Sequence, residues 1–333
     1  MIELKNNKLI FRFPEVHHKA VGEISFLRTL RVPDDGRHYP LPAGVGQFHL
    51  EHIEDHKEQV PEDWLKRGGA LLPMYQSEAM WISFSGNYPM AIKIATGKIN
   101  AITGESWNNN LCDSPQDYVV TPSQPWLDGY AIERGTVRQF VATQLGRGET
   151  TEEQITGKAE FGGIQIIAYP MKEDLYRELF EKPRPQRYES YLDIPKFCRR
   201  SPESSIQMGI APGGKITQEI YDDEYGLDAW DLTAGSRCFL HTVNSEHWNS
   251  ITDLPMPTKP ITARDYKKAD IPWFKYYDED KKPLRGSQLL NSLKSLGTSP
   301  KINSTAVDIG QYISLVEPIV DLSPTSLVSD GEY

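Results

Sequence analysis

The chain has 333 residues, of which 38% are hydrophobic and 25% are charged, and its formal net charge is −10. This composition excludes a largely disordered chain, and the length allows one large domain or two domains of about 150 residues. The acidic excess argues against nucleic-acid binding and against adsorption to anionic membranes, which both need Lys and Arg. We therefore expect no nucleic-acid partner. We also expect no membrane insertion, because no apolar segment approaches the ~20 residues needed to span a bilayer.

Proline and aromatic residues indicate a mainly β fold. The 24 prolines favour short elements and many turns, because proline lacks a backbone donor and stops helices. The 16 Tyr, 11 Phe and 7 Trp residues suit sheets, where rings pack on a pleated face.

Cysteine usage and the first residues predict a cytoplasmic protein. Cys112, Cys198 and Cys238 are far apart in sequence and form no C-x-x-C pair, so we interpret them as reduced thiols. The sequence MIELKNNKLIFRF alternates apolar and polar residues and lacks the apolar run of a signal peptide.

The first elements are predicted as strands and one helix. Alternating apolar residues on both sides of Asn6-Asn7 predict a hairpin, and residues 21–32 predict a strand whose face Arg28 interrupts. A helix is predicted after Pro61, with Gly68 at its C-terminal cap.

Residues 73–170 are predicted to form the central sheet. Short alternating runs are separated by Gly and Pro turns, including a hairpin over residues 89–102. Within this region, TTEEQ at residues 150–154 could form one helical turn.

The chain is predicted to divide into a β-rich domain over residues 1–183 and a second β-rich unit over residues 204–297. Apolar residues recur every four positions from Met171, which predicts a helix over residues 171–182. The Pro-rich residues 184–203 would then connect the two units. Leu289, Leu290, Leu293 and Leu296 predict a second helix over residues 287–296.

A glycine-rich sequence at residues 209–216 partly matches a phosphate-binding loop. The match lacks the final Ser/Thr, which is replaced by Ile216, and the following residues alternate as a strand does. We therefore interpret Pro212-Gly213-Gly214 as the turn of a hairpin.

Residues 298–333 form an acidic tail rich in Ser, Thr and Pro, with one apolar patch. Such a segment could be disordered, or it could add a strand to a sheet edge of its own chain or of a neighbouring subunit.

Together these patterns predict an antiparallel β-sandwich or open barrel core, a second β-rich unit and a few short helices.

Two groups of residues are candidate ligands of a divalent metal. His49, His52 and His56 would share one face if their segment were helical, and would separate if it were a strand. Asp222, Asp223 and Asp228 cluster around a glycine, as calcium ligands do, although the spacing differs from an EF-hand. A solvated polar face and an ordinary acidic loop are the alternatives.

The candidate binding residues are Trp126, Asp128, Arg138, Tyr225 and Trp230. Arg138 shares a strand face with Phe140, so it should need a carboxylate partner, for which Asp117, Asp128 and Glu133 are candidates. A structural ion pair is favoured over an acid–base site.

A nucleophilic pair of Cys238 and His241 is weakly supported, because strand residues three apart point to opposite faces.

The sequence carries no defensible catalytic motif. We expect a non-enzymatic binding or self-assembling structural protein that contacts another protein or its own copies, with Tyr and Trp residues at the interface. The alternative is a metal-dependent carbohydrate-binding protein or a carbohydrate-active enzyme.

Overall fold

Two mixed β-sheets share one hydrophobic core in this computed structural model, which describes residues 1–42, 44–181, 206–261, 283–298 and 327–331. The strands of the first sheet are β1 Ile2–Lys5, β2 Lys8–Arg12, β3 Val21–Thr29, β4 His38–Tyr39, β5 Gly44–Gln47, β8 Ala79–Ser85, β12 Trp126–Leu127, β13 Gly129–Glu133, β14 Thr136–Gln144 and β16 Met208–Thr217. The strands of the second are β6 Glu51–His52, β7 Ala70–Met74, β9 Met90–Thr96, β10 Ile99–Asn100, β11 Val119–Thr121, β15 Ile164–Pro170 and β17 Ser236–Asn244.

Helices are short and lie outside the sheets. They are α1 Glu62–Arg67, α2 Thr151–Thr156, α3 Glu173–Tyr176, α4 Trp248–Thr252 and α5 Gln288–Asn291, with a π-helical turn at Arg177–Glu181 and 3₁₀ turns at Ile53–His56, Leu227–Ala229 and Leu296–Thr298. Among the described helices, none is both long and apolar enough to cross a membrane.

The shared core joins the inner faces of the two sheets. It includes Phe26 and Ile82 from the first sheet and Ile94 and Ile166 from the second, all at most 1% exposed. The hydroxyl of Tyr130 on β13 lies 2.6 Å from the Thr96 hydroxyl on β9, so a buried hydrogen bond also connects the sheets. The predicted mainly β fold with few short helices is confirmed, and no closed barrel forms.

Strand directions differ in part from the antiparallel prediction. Most pairs are antiparallel, but β4 pairs with β16, and β7 with β17, in parallel. Because parallel partners need no tight turn between them, these pairs bring together segments that are distant in sequence.

The two strands of residues 206–261 are interior strands, one in each sheet. β16 lies between β14 and β4, and β17 lies between β15 and β7. Both sheets therefore combine strands from the two predicted units, and the predicted connector at residues 184–203 lies outside the described residues.

The predicted hairpin at Pro212-Gly213-Gly214 is wrong. These residues lie within the single strand β16, where Pro212 is opposite Phe140 and the register with β14 shifts. Gly214 packs against the Pro33 carbonyl so closely that an added Cβ would lie 2.3 Å from that oxygen. Pairing on both sides of β16 has overridden the local turn signal.

Other local predictions are confirmed. Asn6 and Asn7 have positive φ angles in the β1–β2 turn, and Gly97 and Lys98 have them in the β9–β10 turn. Helix α1 begins after Pro61 and ends at Gly68. The predicted helical turn at TTEEQ is α2, in which Thr150 and Glu153 form a reciprocal capping box.

The two leucine-rich helices are shorter than predicted. The first has one α-helical turn at α3 and continues as a π-helical turn to Glu181. In the second, α5 covers only residues 288–291, although Leu290, Leu293 and Leu296 are buried as the spacing predicts. Leu289 is instead 45% exposed.

The last described residues pack on the body of the same chain. The Val328 amide donates to the Ile2 carbonyl at 2.9 Å, and the Gly69 amide donates to the Ser329 carbonyl at 2.9 Å. The apolar patch predicted within the tail lies outside the described residues.

Candidate functional site

An open cleft of about 880 Å³ lies beside the predicted acidic loop. Four segments that are distant in sequence supply its walls. They are the β10–β11 connection, the β13–β14 turn, the loop after β16 and the segment that leads into α5. Its charged side chains are Asp113, Arg134, Asp222, Asp223 and Arg285.

Asp223 organises the wall formed by the acidic loop. Its Oδ2 accepts hydrogen bonds from the Tyr118 hydroxyl at 2.7 Å and from the Trp230 indole nitrogen at 2.9 Å. Its Oδ1 accepts from the Tyr225 amide at 2.8 Å. Both carboxylate oxygens are therefore engaged in holding the loop against the second sheet.

Burial changes the acidity of the tyrosines around this carboxylate. Burial, followed by the hydrogen bond to Asp223, raises the pKa of Tyr118 well above its usual range. Burial and the nearby Glu224 raise the pKa of Tyr225 to about 12. Both phenols consequently remain protonated at neutral pH, so Tyr118 can serve as a hydrogen-bond donor to Asp223.

Gln116 connects the acidic loop to the opposite wall. Its amide nitrogen donates to the carbonyls of Tyr118 and Tyr221, and its amide oxygen accepts from the Asp223 amide at 2.8 Å. One fully buried amide side chain thus fixes the relative position of two loops, which makes this part of the cleft preorganised.

The segment before α5 closes the other side. The Leu284 amide donates to the Ile220 carbonyl at 2.6 Å, and the Ser287 amide donates to the Ala131 carbonyl at 2.8 Å. An added Cβ at Gly286 would lie 2.0 Å from the Glu133 nitrogen, so only glycine fits there. This close approach places Arg285 on the wall of the cleft.

Exposed charges of both signs line the cleft. Asp113, Arg134 and Arg285 are all exposed, and Asp222 is half-buried. Such a surface can offer hydrogen-bond acceptors from carboxylates and a fork of donors from guanidinium groups. Ile102, Pro283 and Leu284 add apolar surface between them.

The predicted binding residues separate into two places. Tyr225 and Trp230 lie together within the acidic loop, with ring centroids 5.9 Å apart. Trp126 and Asp128 form a second pair, in which the indole nitrogen donates to Asp128 Oδ2 at 2.9 Å. This second pair does not line the cleft.

Two of the three predicted partners of Arg138 form ion pairs with lysines, although the nearby charge of Glu133 still favours the charged form of Arg138. Asp117 pairs with the buried Lys93 at 2.6 Å, and Glu133 pairs with Lys215 at 3.5 Å. Burial lowers the pKa of Arg138, and its Nε has no hydrogen-bond partner among the described residues. The buried Arg–carboxylate pair of the first sheet is instead formed by Arg28 and Glu78.

The histidine segment is not the helix that a metal site would require. His52 lies at the end of β6, and His56 ends the following 3₁₀ turn. The nearest carboxylate of His49 is Glu51, whose Oε1 lies 2.5 Å from the imidazole Nε2. Among the described residues, no three His, Cys, Asp or Glu side chains are grouped to hold a metal ion.

Asp223, one of the three predicted acidic metal ligands, accepts hydrogen bonds from Tyr118 and Trp230. Asp228 is exposed, in the middle of the 3₁₀ turn Leu227–Ala229. Only Asp222 and Asp223 of the three line the cleft.

Cys238 and His241 have structural environments. The Cys238 thiol is fully buried, which raises its pKa. The His241 ring stacks on Trp64 and Phe239, and its Nε2 lies 2.8 Å from the Gly68 carbonyl oxygen. Burial lowers the pKa of His241 to about 3, so this imidazole is neutral at physiological pH.

Sequence reasoning missed Asp113, Gln116, Tyr118 and Arg285 as cleft residues. The first three lie in the β10–β11 connection and Arg285 lies in the segment before α5, and no sequence motif relates these two segments. Arg134 stands out in the sequence as a charge beside the Gly135 turn, but its position in a cleft depends on the docking of residues 283–287.

No protein-family model matches this chain, and comparisons with curated proteins and with solved structures found no significant match. The functional argument therefore depends on the geometry of the molecule alone.

Proposed function

We propose that the protein is a non-enzymatic binding protein whose cleft binds a polar carbohydrate ligand. The observation that carries this proposal is the combination of Asp222, Arg134 and Arg285 with apolar wall residues around one open cleft. Sugars present hydroxyl groups, which need both donors and acceptors, and C–H faces, which pack on apolar surface. Pockets of this kind orient a ligand through a few polar groups.

Binding is favoured over catalysis by the state of Asp223. Its two oxygens accept three hydrogen bonds from the surrounding loop. A carboxylate held in this way stabilises the wall of the cleft and is poorly placed to exchange protons with a ligand. The same three bonds leave Asp223 at most one further acceptor position, on Oδ1, for a metal ion.

Titration of the protein with a panel of neutral mono- and oligosaccharides, followed by calorimetry, tests the proposal. Arg134→Gln should weaken binding of any saccharide hit roughly 10- to 150-fold, since a charge-assisted hydrogen bond contributes on the order of 1.5–3 kcal/mol. Arg147→Gln is the matched control, because Arg147 is exposed outside the cleft. A panel without hits, or equal binding by the two variants, would refute the proposal.

Two further arms separate the alternatives. Binding that is unchanged in EDTA supports a metal-independent site, and loss of binding in EDTA supports the metal-dependent one. Recovery of the intact saccharide after incubation supports a binding protein, whereas hydrolysis products would establish an enzyme.

Self-association is the second candidate, and it is favoured by the docking of residues 327–331. This segment forms β-bridges from Leu327 to Glu3 and from Asp330 to Gly68. Arg237 also pairs with the Asp330 carboxylate at 3.2 Å. Such pairing with a sheet edge can be exchanged between identical chains, because a second copy offers the same edge and the same segment.

Light scattering of the full chain and of a chain ending at Gly297 tests this exchange. An oligomer of the full chain that becomes monomeric on truncation supports exchange of the segment. A monomeric mass for both chains would eliminate it.

A further inference from the structure

Three buried glutamates surround the start of α2, and they differ in how their oxygens are satisfied. Glu152 accepts three hydrogen bonds from the backbone amides of residues 160–162, at 2.8–2.9 Å. Glu153 accepts from the Gly146 and Gly148 amides and from Thr150. These two carboxyl groups have a full set of donors from the chain itself.

Glu149 lacks such a set. It is only 4% exposed, and its Oε2 accepts one hydrogen bond from the Thr143 hydroxyl at 2.7 Å. Its Oε1 accepts no hydrogen bond from the described residues. A buried acceptor without a donor destabilises the folded state, so its retention calls for an explanation such as a ligand.

Glu149 also lines a cavity of about 350 Å³ between the α2 loop and residues 292–296. The far wall is fixed by Gln154, whose amide nitrogen donates to the Lys294 carbonyl at 2.9 Å. The Gln154 amide oxygen accepts from the Lys294 amide at 2.7 Å. Because water occupies about 30 Å³ in the liquid, the cavity has room for a small organic molecule.

We propose that this cavity binds a small molecule with a primary ammonium group, which donates a hydrogen bond to Glu149. An ammonium group has three N–H donors and no acceptor, so it complements a carboxyl oxygen that lacks a donor. The bond is charge-assisted when the carboxyl group is ionised, and such bonds are shorter and stronger than neutral ones. The site is separate from the mixed-charge cleft and shares no lining residue with it.

Thermal unfolding and calorimetry at pH 7 with ethanolammonium chloride test this site. Tetramethylammonium chloride is the matched control ligand, because it carries the same charge without an N–H donor. Ethylene glycol controls for the hydroxyl group. We expect the melting temperature to rise with ethanolammonium only, and an equal rise with tetramethylammonium would overturn the proposal.

Two variants localise the binding. Glu149→Gln should weaken ethanolammonium binding at least tenfold, while Glu160→Gln should leave it unchanged, because Glu160 is exposed in the segment after α2 and lies outside the cavity. Ser292→Phe adds bulk to the cavity wall and retains the carboxyl group, so it should also abolish binding. Wild-type affinity in both Glu149→Gln and Ser292→Phe would refute the site.

Discussion

Asp128 has the most clearly perturbed carboxyl group among the residues singled out from the sequence. Its side chain is buried between β12 and β13, and the Trp126 indole is the one described donor to its carboxyl group. Burial raises the pKa of Asp128 to about 8, although the indole hydrogen bond acts in the opposite direction. The folded protein therefore retains a proton here at neutral pH that the unfolded chain releases.

Asp128→Asn should become more stable relative to the wild type as the pH rises. The proton on Asp128 stabilises the folded state fully below about pH 4, where both states are protonated, and this contribution is lost as the pH approaches 8. The difference in free energy of unfolding should change by up to about 1.4 kcal/mol per pH unit in this range. Urea unfolding at pH 4, 6 and 8 measures it.

Asp228→Asn is the control for this prediction, because it makes the same substitution at an exposed position in a 3₁₀ turn. A pH-independent difference for Asp128→Asn would show that Asp128 ionises normally in the folded state.

Strand β16 shows how pairing between elements overrides a local signal. Its Pro-Gly-Gly sequence lies at the register shift opposite β14, with paired residues of β16 on both sides of it, and β4 pairs with Lys215 and Ile216 just beyond it. Gly214 is required because the Pro33 backbone passes directly beside it. Here the glycine allows two chain segments to pack closely, and it does not form a turn that reverses the chain.

Gly214→Ala should destabilise the protein by about 1–3 kcal/mol, the usual cost of forcing extra atoms into a packed interior. Gly44→Ala is the matched control in β5, because its Cβ would make an ordinary 3.4 Å contact with the Trp81 ring. That control should change stability by less than about 1 kcal/mol. Chemical denaturation of both variants provides the measurement, and equal effects would contradict the close packing at Gly214.

The elements that sequence patterns predicted well are those determined by neighbouring residues. Asn6-Asn7 accept positive φ angles, Thr150 and Glu153 cap each other three positions apart, and Gly68 ends α1. The parallel strand pairs and the formation of β16 as one continuous strand depend on partners far away in the chain. Of the cleft residues, sequence patterns indicate Asp222 and Asp223, as candidate metal ligands, and Arg134 beside a turn, but not the cleft itself, because its walls meet through tertiary contacts.

At the scale of the whole molecule, the two sheets depend on two strands from residues 208–244. β17 fills the position between β15 and β7, and β16 covers the edge of β14. Met208, Ile210 and Leu240 from these strands belong to the shared core. A shorter chain would lose both the backbone partners and the buried side chains.

A chain of residues 1–181 should therefore not fold cooperatively. It retains most of the strands, but β14 loses its neighbour β16 and β15 loses its neighbour β17, so each has an unpaired edge and the apolar core is less covered. Circular dichroism during urea unfolding, together with the dispersion of amide resonances, tests this against the full chain. A sharp transition and dispersed resonances for residues 1–181 would instead establish an independent domain.

The contact between Ile2 and Val328 closes a loop that includes almost the entire sequence. The entropy cost of that closure grows only slowly with loop length, but the contact cannot form before β1, α1 and β17 have been brought together. Residues 327–331 should consequently be the last to join the native state and the first to leave it. Their amides would exchange with deuterium through local release, at a lower free energy than the amides of β9 and β15.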